Sequence, residues 1–197
     1  IGSNVFRDCS SLTSIEIPNS VTSIANRAFN GCTSLKDLRF EDGEGTLSLG
    51  YNTNSSNIGK GLFYDCPLET LYLGRNLSYK TGSNYGYSPF YNIKTLASVT
   101  IGNSVTSIGD EAFYGCTGLE KVCINDLAAW CGIDFFSADA NPLYYAKNLY
   151  LNGELLTELS IPAEIAEVKD YAFYNCNNVT NIDIVNGVNS IGNSAFY

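Results

Sequence analysis

Residues 6–29, 90–113 and 173–196 repeat one pattern with a period of 23 residues. Counting from Phe6, the apolar or small positions are Cys9, Leu12, Ile15, Ile17, Val21, Ile24, Ala28 and Phe29. From Phe90 they are Ile93, Leu96, Val99, Ile101, Val105, Ile108, Ala112 and Phe113. From Phe173 they are Cys176, Val179, Ile182, Ile184, Val188, Ile191, Ala195 and Phe196. A fixed period of this length marks a solenoid, because one unit is too small to bury its own apolar face and must stack on its neighbours.

The rest of the chain fits the same ruler once insertions are allowed. Landmark residues fall at Phe6, Phe29, Phe63, Phe90, Phe113, Leu143, Phe173 and Phe196, which predicts about seven turns of 23–34 residues. Inserts occupy 41–57 and 74–88. Within a unit, Leu12–Pro18 alternates, carries β-branched residues and closes on proline, so it predicts a short strand. Its equivalents are Leu38–Phe40, Leu71–Leu73, Val99–Ile101, Val122–Ile124, Leu159–Ile161 and Ile182–Ile184. Asn19-Ser20 then turns the chain into a second short strand at Val21–Ile24. Gly109 and Gly192 follow the equivalents of that strand, where positive φ is expected. Ala28–Cys32 is too short for an independent α-helix and predicts a single helical or 3-10 turn. Like strands should therefore pair in parallel, one per turn. Two segments depart from the pattern. Asn125–Cys131 carries N-caps and helix formers and predicts a short helix on the outside of the coil. Asn152-Gly153 between apolar runs predicts a type I′ hairpin. The chain opens inside a repeat and stops one period on, so residues 1–197 are expected to be a single array cut from a longer one.

The run Leu-Thr-Ser-Ile-x-Ile-Pro-Asn-Ser-Val-Thr-Ser-Ile at Leu12–Ile24, followed by Ala-Phe-x-x-Cys-x-x-Leu to Leu35, resembles the BspA-like leucine-rich repeat family. Asp126–Cys131, Asn141–Ala146 and Leu149–Gly153 resemble a recurrent variant of its repeats. The resemblance implies a β-rich leucine-rich-repeat solenoid with a parallel sheet on one face. It also implies a bacterial or parasitic-protist surface or secreted protein used in adhesion and protein binding, so an extracellular or cell-surface location. It carries over no catalytic residues.

Composition narrows the function further. The net charge of −9 opposes binding to a phosphate backbone or an anionic membrane, and no basic run compensates. No segment approaches 18 uninterrupted apolar residues, so this stretch is not expected to insert in a membrane. With no histidine, serine and cysteine triads, histidine-ligated zinc and imidazole general bases are all absent. Carboxylate chemistry on a parallel β-coil survives as a remote enzymatic route, using Glu16 with Asp37 or Asp183 with Glu158. Those residues stand among Lys36, Arg39 and Lys121, and a solvated mixed-charge face is the plainer expectation. Of seven cysteines, Cys9, Cys32, Cys66, Cys116 and Cys176 lie three residues after a landmark, a slot that Ile93 and Ala146 also fill. They predict a ladder of buried free thiols serving as apolar bulk, with no disulfide and no metal. The acidic insert at 41–57 is expected to be a disordered loop, with a calcium turn on Glu41, Asp42 and Glu44 as the lesser alternative. Sequons at Asn54, Asn76 and Asn178 are expected to be turn asparagines.

The expected function is a non-enzymatic scaffold that needs no cofactor and presents one extended face to proteins or glycans; a structural spacer is the alternative. The middle residue of the main strand varies from turn to turn: Glu16, Arg39, Tyr72, Thr100, Cys123, Ser160 and Asp183. Such variation suits a binder better than a spacer. The expected binding strip contains Arg39, Tyr72, Lys121 and Asp183, with Lys36 and Ser160 beside them and Tyr150 close by on the hairpin. Tyrosine and arginine are favoured because they combine contact area with directional hydrogen bonds. Tyr51, Tyr79, Tyr85 and Tyr87 on the inserts extend that expectation.

Overall fold

The computed structural model describes residues 1–51, 61–80 and 88–197. In it the repeats coil into a parallel β-solenoid of about six turns. The main sheet runs in parallel through Ser14–Ile17, Asp37–Phe40, Thr70–Leu73, Ser98–Ile101, Lys121–Ile124 and Leu149–Leu151, and Glu154–Leu155 adds an antiparallel edge. Alternation decides which side chains enter. In Asp37–Phe40, Leu38 and Phe40 are buried while Asp37 and Arg39 face out, as the two-residue period of a strand requires. A second side of the coil carries shorter parallel ladders: Ser23–Ile24 with Leu47–Leu49 and Leu77–Ser78, Ser107–Ile108 with Asp134–Phe135, and Glu167–Val168 with Ser190–Ile191.

Between these sides lies a column of phenylalanines. Phe6, Phe29, Phe63, Phe90 and Phe113 stack with ring centroids 5.2–5.8 Å apart. Phe173 and Phe196 stack at 5.3 Å. Leu143 fills the landmark slot between them and is fully buried. The turns that carry the column close with i to i+3 bonds, as in Cys32 N–H to Phe29 O at 3.2 Å. At the phenylalanine landmarks they do not extend into helices, because left-handed residues interrupt them on one or both sides, whereas Leu143 opens the four-residue helix Leu143–Ala146. Asn4, Arg27, Glu111, Tyr171 and Ser194, each two residues before a landmark, have φ of 50–62°. Asp8, Gly31, Asp65, Asn92, Gly115 and Asn175, each two residues after, have φ of 57–77°. Glycine, asparagine and aspartate tolerate that region best, which explains the composition of the second column.

All seven cysteines are free thiols, and the buried ones do more than fill space. Cys32, Cys66 and Cys116 each donate a thiol hydrogen bond to the carbonyl of a landmark in the preceding turn: Phe6, Phe29 and Phe90, at 3.0–3.1 Å. The apolar occupants of that slot cannot do this.

Four expectations need correction. Leu159–Ile161 does not continue the main sheet. The strand that pairs with Lys121–Ile124 is Leu149–Leu151, and the hairpin's return strand then takes up the sheet edge. Glu158–Ile161 pairs instead with Asn181–Ile184 in a separate two-stranded sheet. The Asn178 side chain bridges the break, accepting from Leu149 N–H and donating to the carbonyls of Leu149 and Leu156. Second, the short helix Leu127–Cys131, capped by Asp126, is not merely external, since Trp130 and Cys131 are buried. The Trp130 indole donates to Ala172 O at 2.9 Å, and buried Asn141 bonds to Tyr171 O, Ala172 O and Leu143 N–H. Third, Gly109 and Gly192 do not have positive φ. They are needed for close approach: a Cβ at Gly109 would meet the Tyr79 hydroxyl at 2.8 Å, and one at Gly192 would collide with Asp170. Fourth, the described part of the acidic insert is ordered, with Leu47 and Leu49 buried in a strand. The type I′ turn forms as expected, with φ of 53° at Asn152 and 87° at Gly153. Tyr85, Tyr87 and the Asn54 sequon lie outside the described residues. The amides of Asn76 and Asn178 are engaged within the fold.

Two outcomes follow from this packing. Phe113→Ala should lower unfolding free energy in urea by about 3–5 kcal/mol. Phe196→Ala, at a half-buried ring stacked on Phe173, should cost clearly less, and equal losses would refute the column. Burial pushes the thiols of Cys66, Cys116 and Cys131 from 9.0 up to about 12. Unfolded thiols lose their protons near pH 9 while the folded ones keep theirs, so this stabilisation is full below pH 9 and declines as pH rises toward 12. Urea midpoints of the parent should therefore fall more steeply above pH 9 than those of a Cys66→Ala Cys116→Ala variant; parallel pH profiles would contradict the assignment.

Candidate functional site

The outward residues of the main sheet form two rows set by strand register. The first row is Ser14, Asp37, Thr70, Ser98 and Lys121. The second is Glu16, Arg39, Tyr72, Thr100, Cys123 and Tyr150. The expected strip therefore exists in part. Arg39 and Tyr72 are direct neighbours, and Tyr150 lies within the second row rather than beside it. Lys121 ends the first row. Asp183 and Ser160 stand apart, opposite one another on the separate two-stranded sheet. Thus the strip is interrupted where the hairpin occupies the sheet edge.

The first three strands carry a closed polar network. The Arg39 guanidinium lies over the Tyr72 ring, 3.6 Å from its centroid. Its Nε donates to Glu16 at 2.9 Å, and Nη2 stands 3.6 Å from the Asp42 carboxylate. The Tyr72 hydroxyl donates to the same carboxylate at 2.8–2.9 Å. Burial raises the Tyr72 pKa, the Asp42 hydrogen bond raises it further, and Arg39 works against both. The phenol consequently stays protonated at neutral pH. Asp37 accepts from the Thr70 hydroxyl, and Lys36 pairs with Glu69 at 2.7 Å. A shallow groove of about 370 Å³ runs over this patch, walled by Glu16, Arg39, Tyr72, Asp37, Thr70 and Thr100. Two amphipathic side chains are thereby held in place by their neighbours.

Arg75 shows the opposite use of the same residue type. It is 1% exposed, and its guanidinium donates to the carbonyls of Asn19, Val21 and Pro18, each at 2.9 Å. Those acceptors lie 54–57 residues earlier in the chain. Arg75 is a structural clamp across turns, not part of the exposed patch.

A model of the BspA-type leucine-rich repeat region matches residues 1–126, 83–141 and 145–197, with six copies. The chain belongs to the BspA-type leucine-rich repeat family. Among solved structures, a leucine-rich repeat protein from T. pallidum is 20% identical, with 98% of this chain and 65% of that one covered, at a TM-score of 0.41. One from Bacteroides ovatus is also 20% identical, covering 96% and 47% of the two chains, at 0.44. A leucine rich cell surface protein from Faecalibacterium prausnitzii is 17% identical, covering 92% and 62%, at 0.30. The chain spans less than two thirds of the length of each. Comparison with curated proteins returns no match.

In this BspA-type array the first pair of carboxylates weighed for chemistry, Glu16 and Asp37, has other partners. Glu16 is paired with Arg39 and Asp37 with Thr70. Glu41 accepts the Asn19 N–H at 2.7 Å and Asp42 accepts the Tyr72 hydroxyl, so two of the three acids weighed for calcium point to different places. Among the described residues, no group of three metal-ligating side chains forms. Asp42 is the member of the patch that sequence reasoning did not place in the strip. It lies outside the repeat pattern, and only its position after Phe40 at the strand end hinted at it.

The two arginines should separate cleanly in a stability assay. Exposed pairs contribute little, so Arg39→Ala should change unfolding free energy by less than about 1 kcal/mol. Arg75→Lys replaces the two terminal nitrogens that reach three carbonyls with a single ammonium nitrogen that does not span them, and should cost about 2 kcal/mol or more. Chemical denaturation of both variants checks this, and the reverse ranking would be fatal to it.

Proposed function

We propose that this chain is a non-enzymatic binding scaffold, exposed at a cell surface or secreted, that engages a protein partner through the open face of its main sheet. The observation that carries this reading is the preset Arg39–Tyr72 pair, with Glu16 and Asp42 holding it in one geometry. Interface anchors are enriched in arginine and tyrosine, and rigid ones lose least entropy on binding. Lys121 and Tyr150 extend the contact area along the same face, with Tyr150 about 14 Å from Tyr72 at three strand spacings. Asp183, on the separate two-stranded sheet, is outside this contact area. The leucine-rich repeat architecture supports a scaffold role, and no helix among the described residues is long and apolar enough to cross a membrane.

The test uses immobilised chain and a panel of purified extracellular matrix and bacterial surface proteins, read by biolayer interferometry. For a partner so found, Arg39→Ala and Tyr72→Ala should each weaken affinity at least tenfold while the melting temperature moves little. Ser23→Ala and Ser107→Ala, on the second side of the coil, should leave affinity unchanged. Loss from the serine variants with none from Arg39 or Tyr72 would move the interface to the other side and defeat the proposal.

A further inference from the structure

The residue directly after the landmark is tyrosine in six consecutive units: Tyr64, Tyr91, Tyr114, Tyr144, Tyr174 and Tyr197. Because the landmark points inward, this neighbour lies on the surface of the turn, away from the face that carries Arg39. Tyr91 and Tyr114 stack at 5.8 Å with planes 4° apart. Tyr144 and Tyr174 stack at 6.1 Å, and Tyr174 and Tyr197 at 5.2 Å. Tyr145 and Tyr171 meet this column edge-on. Tyr144 is 39% exposed and Tyr197 80%. At one strand spacing per turn the column extends about 24 Å.

Two grooves open along it at equivalent offsets. One, of about 370 Å³, is lined by Tyr64, Pro67, Tyr91, Asn92, Lys94 and Thr95. The other, of about 450 Å³, is lined by Thr117, Tyr144, Tyr145, Lys147, Tyr174 and Asn175. Tyr145 accepts the Gly115 N–H at 2.9 Å, which leaves its own hydroxyl proton to donate. The charge pattern is equally particular. In a chain of net charge −9, the five positions after each landmark from Phe63 to Asn178 carry only Asp65, Lys94 and Lys147. This face is close to neutral, while the acidity of the molecule lies elsewhere.

We propose that the tyrosine column is a second binding face, which takes a linear neutral polysaccharide. With the rings facing one another along the column, each tyrosine presents an apolar ring edge and a polar tip, which match the apolar C–H groups and hydroxyl rim of a pyranose. Asn92 and Thr117 supply uncharged hydrogen-bonding groups of the kind sugar hydroxyls require; Thr95 Oγ1 and Asn175 Nδ2 already donate to Leu68 O and Tyr144 O, so those two residues offer chiefly their oxygen lone pairs. A repeated surface fits a repeated ligand, since several weak contacts in line along one chain add through effective concentration. A polyanion would be disfavoured by the overall charge of −9, and a polycation would find only one acid here.

Native affinity electrophoresis tests this directly, with hydroxyethyl cellulose, galactomannan, soluble starch or laminarin cast in the gel. Polygalacturonate serves as the charged control, and poly-L-proline is tested separately as the peptide alternative. The parent should be retarded in at least one neutral gel. Tyr144→Ala Tyr174→Ala should weaken that retardation at least tenfold, Tyr144→Phe should retain it, and Arg39→Ala should not alter it. The last comparison separates this face from the protein-binding one. Should the double alanine variant fold poorly, as judged by emission of buried Trp130, Thr117→Glu puts bulk and charge in the groove without removing a ring and should abolish retardation. Absence of retardation in every neutral gel, retardation only in polygalacturonate, capture of poly-L-proline alone, or indifference to the groove variants would each overturn the proposal.

Discussion

Everything in this molecule depends on the stacking of one turn on the next. A single 23-residue unit has two short strands, no helix and one inward phenylalanine, and it can bury that ring only between the rings of its neighbours. The column from Phe6 to Phe113 is therefore both the core and the ruler that sets register. Once the rings are spaced, the parallel ladders on either side follow at the same interval. The thiols of Cys32, Cys66 and Cys116 then give landmark carbonyls, which already accept the N–H three residues on in their own turn, a second donor from the next turn.

Regularity also explains where binding features can arise. Inward positions are tied to the column, but each outward position is free to vary, and the turns use that freedom differently. On the main sheet, variation produced Arg39 beside Tyr72 beneath the acidic insert, whose Asp42 locks both. On the turn surface, uniformity produced a row of tyrosines. One face thus looks like a specific anchor and the other like a repeating track.

The irregular segments limit the extent of each face. The hairpin at Leu149–Leu155 ends the long sheet because its return strand consumes the hydrogen-bonding edge. Asn178 and Asn141 then join the halves through side-chain bonds to backbone, and Trp130 fills volume that a standard turn would leave empty. Buried polar side chains of this kind are tolerated because nearly all their atoms find partners.

Much of the fold was legible in the sequence. The landmark spacing determined the solenoid, the inward positions and the thiol ladder, while capping and turn residues determined the Asp126-capped helix and the Asn152-Gly153 hairpin, because each follows from local periodicity or local turn chemistry. The left-handed positions flanking each landmark were equally available, as a column of Asp, Gly and Asn at Asp8, Gly31, Asp65, Asn92, Gly115 and Asn175. What the sequence did not contain was long-range pairing. That Leu149–Leu151 rather than Leu159–Ile161 extends the sheet, that Asp42 reaches Tyr72 thirty residues on, and that Gly109 is needed for Tyr79 rather than for its own φ are facts of contact between distant segments. Periodicity specifies which residues point inward, but only the packed coil decides which of the outward ones meet.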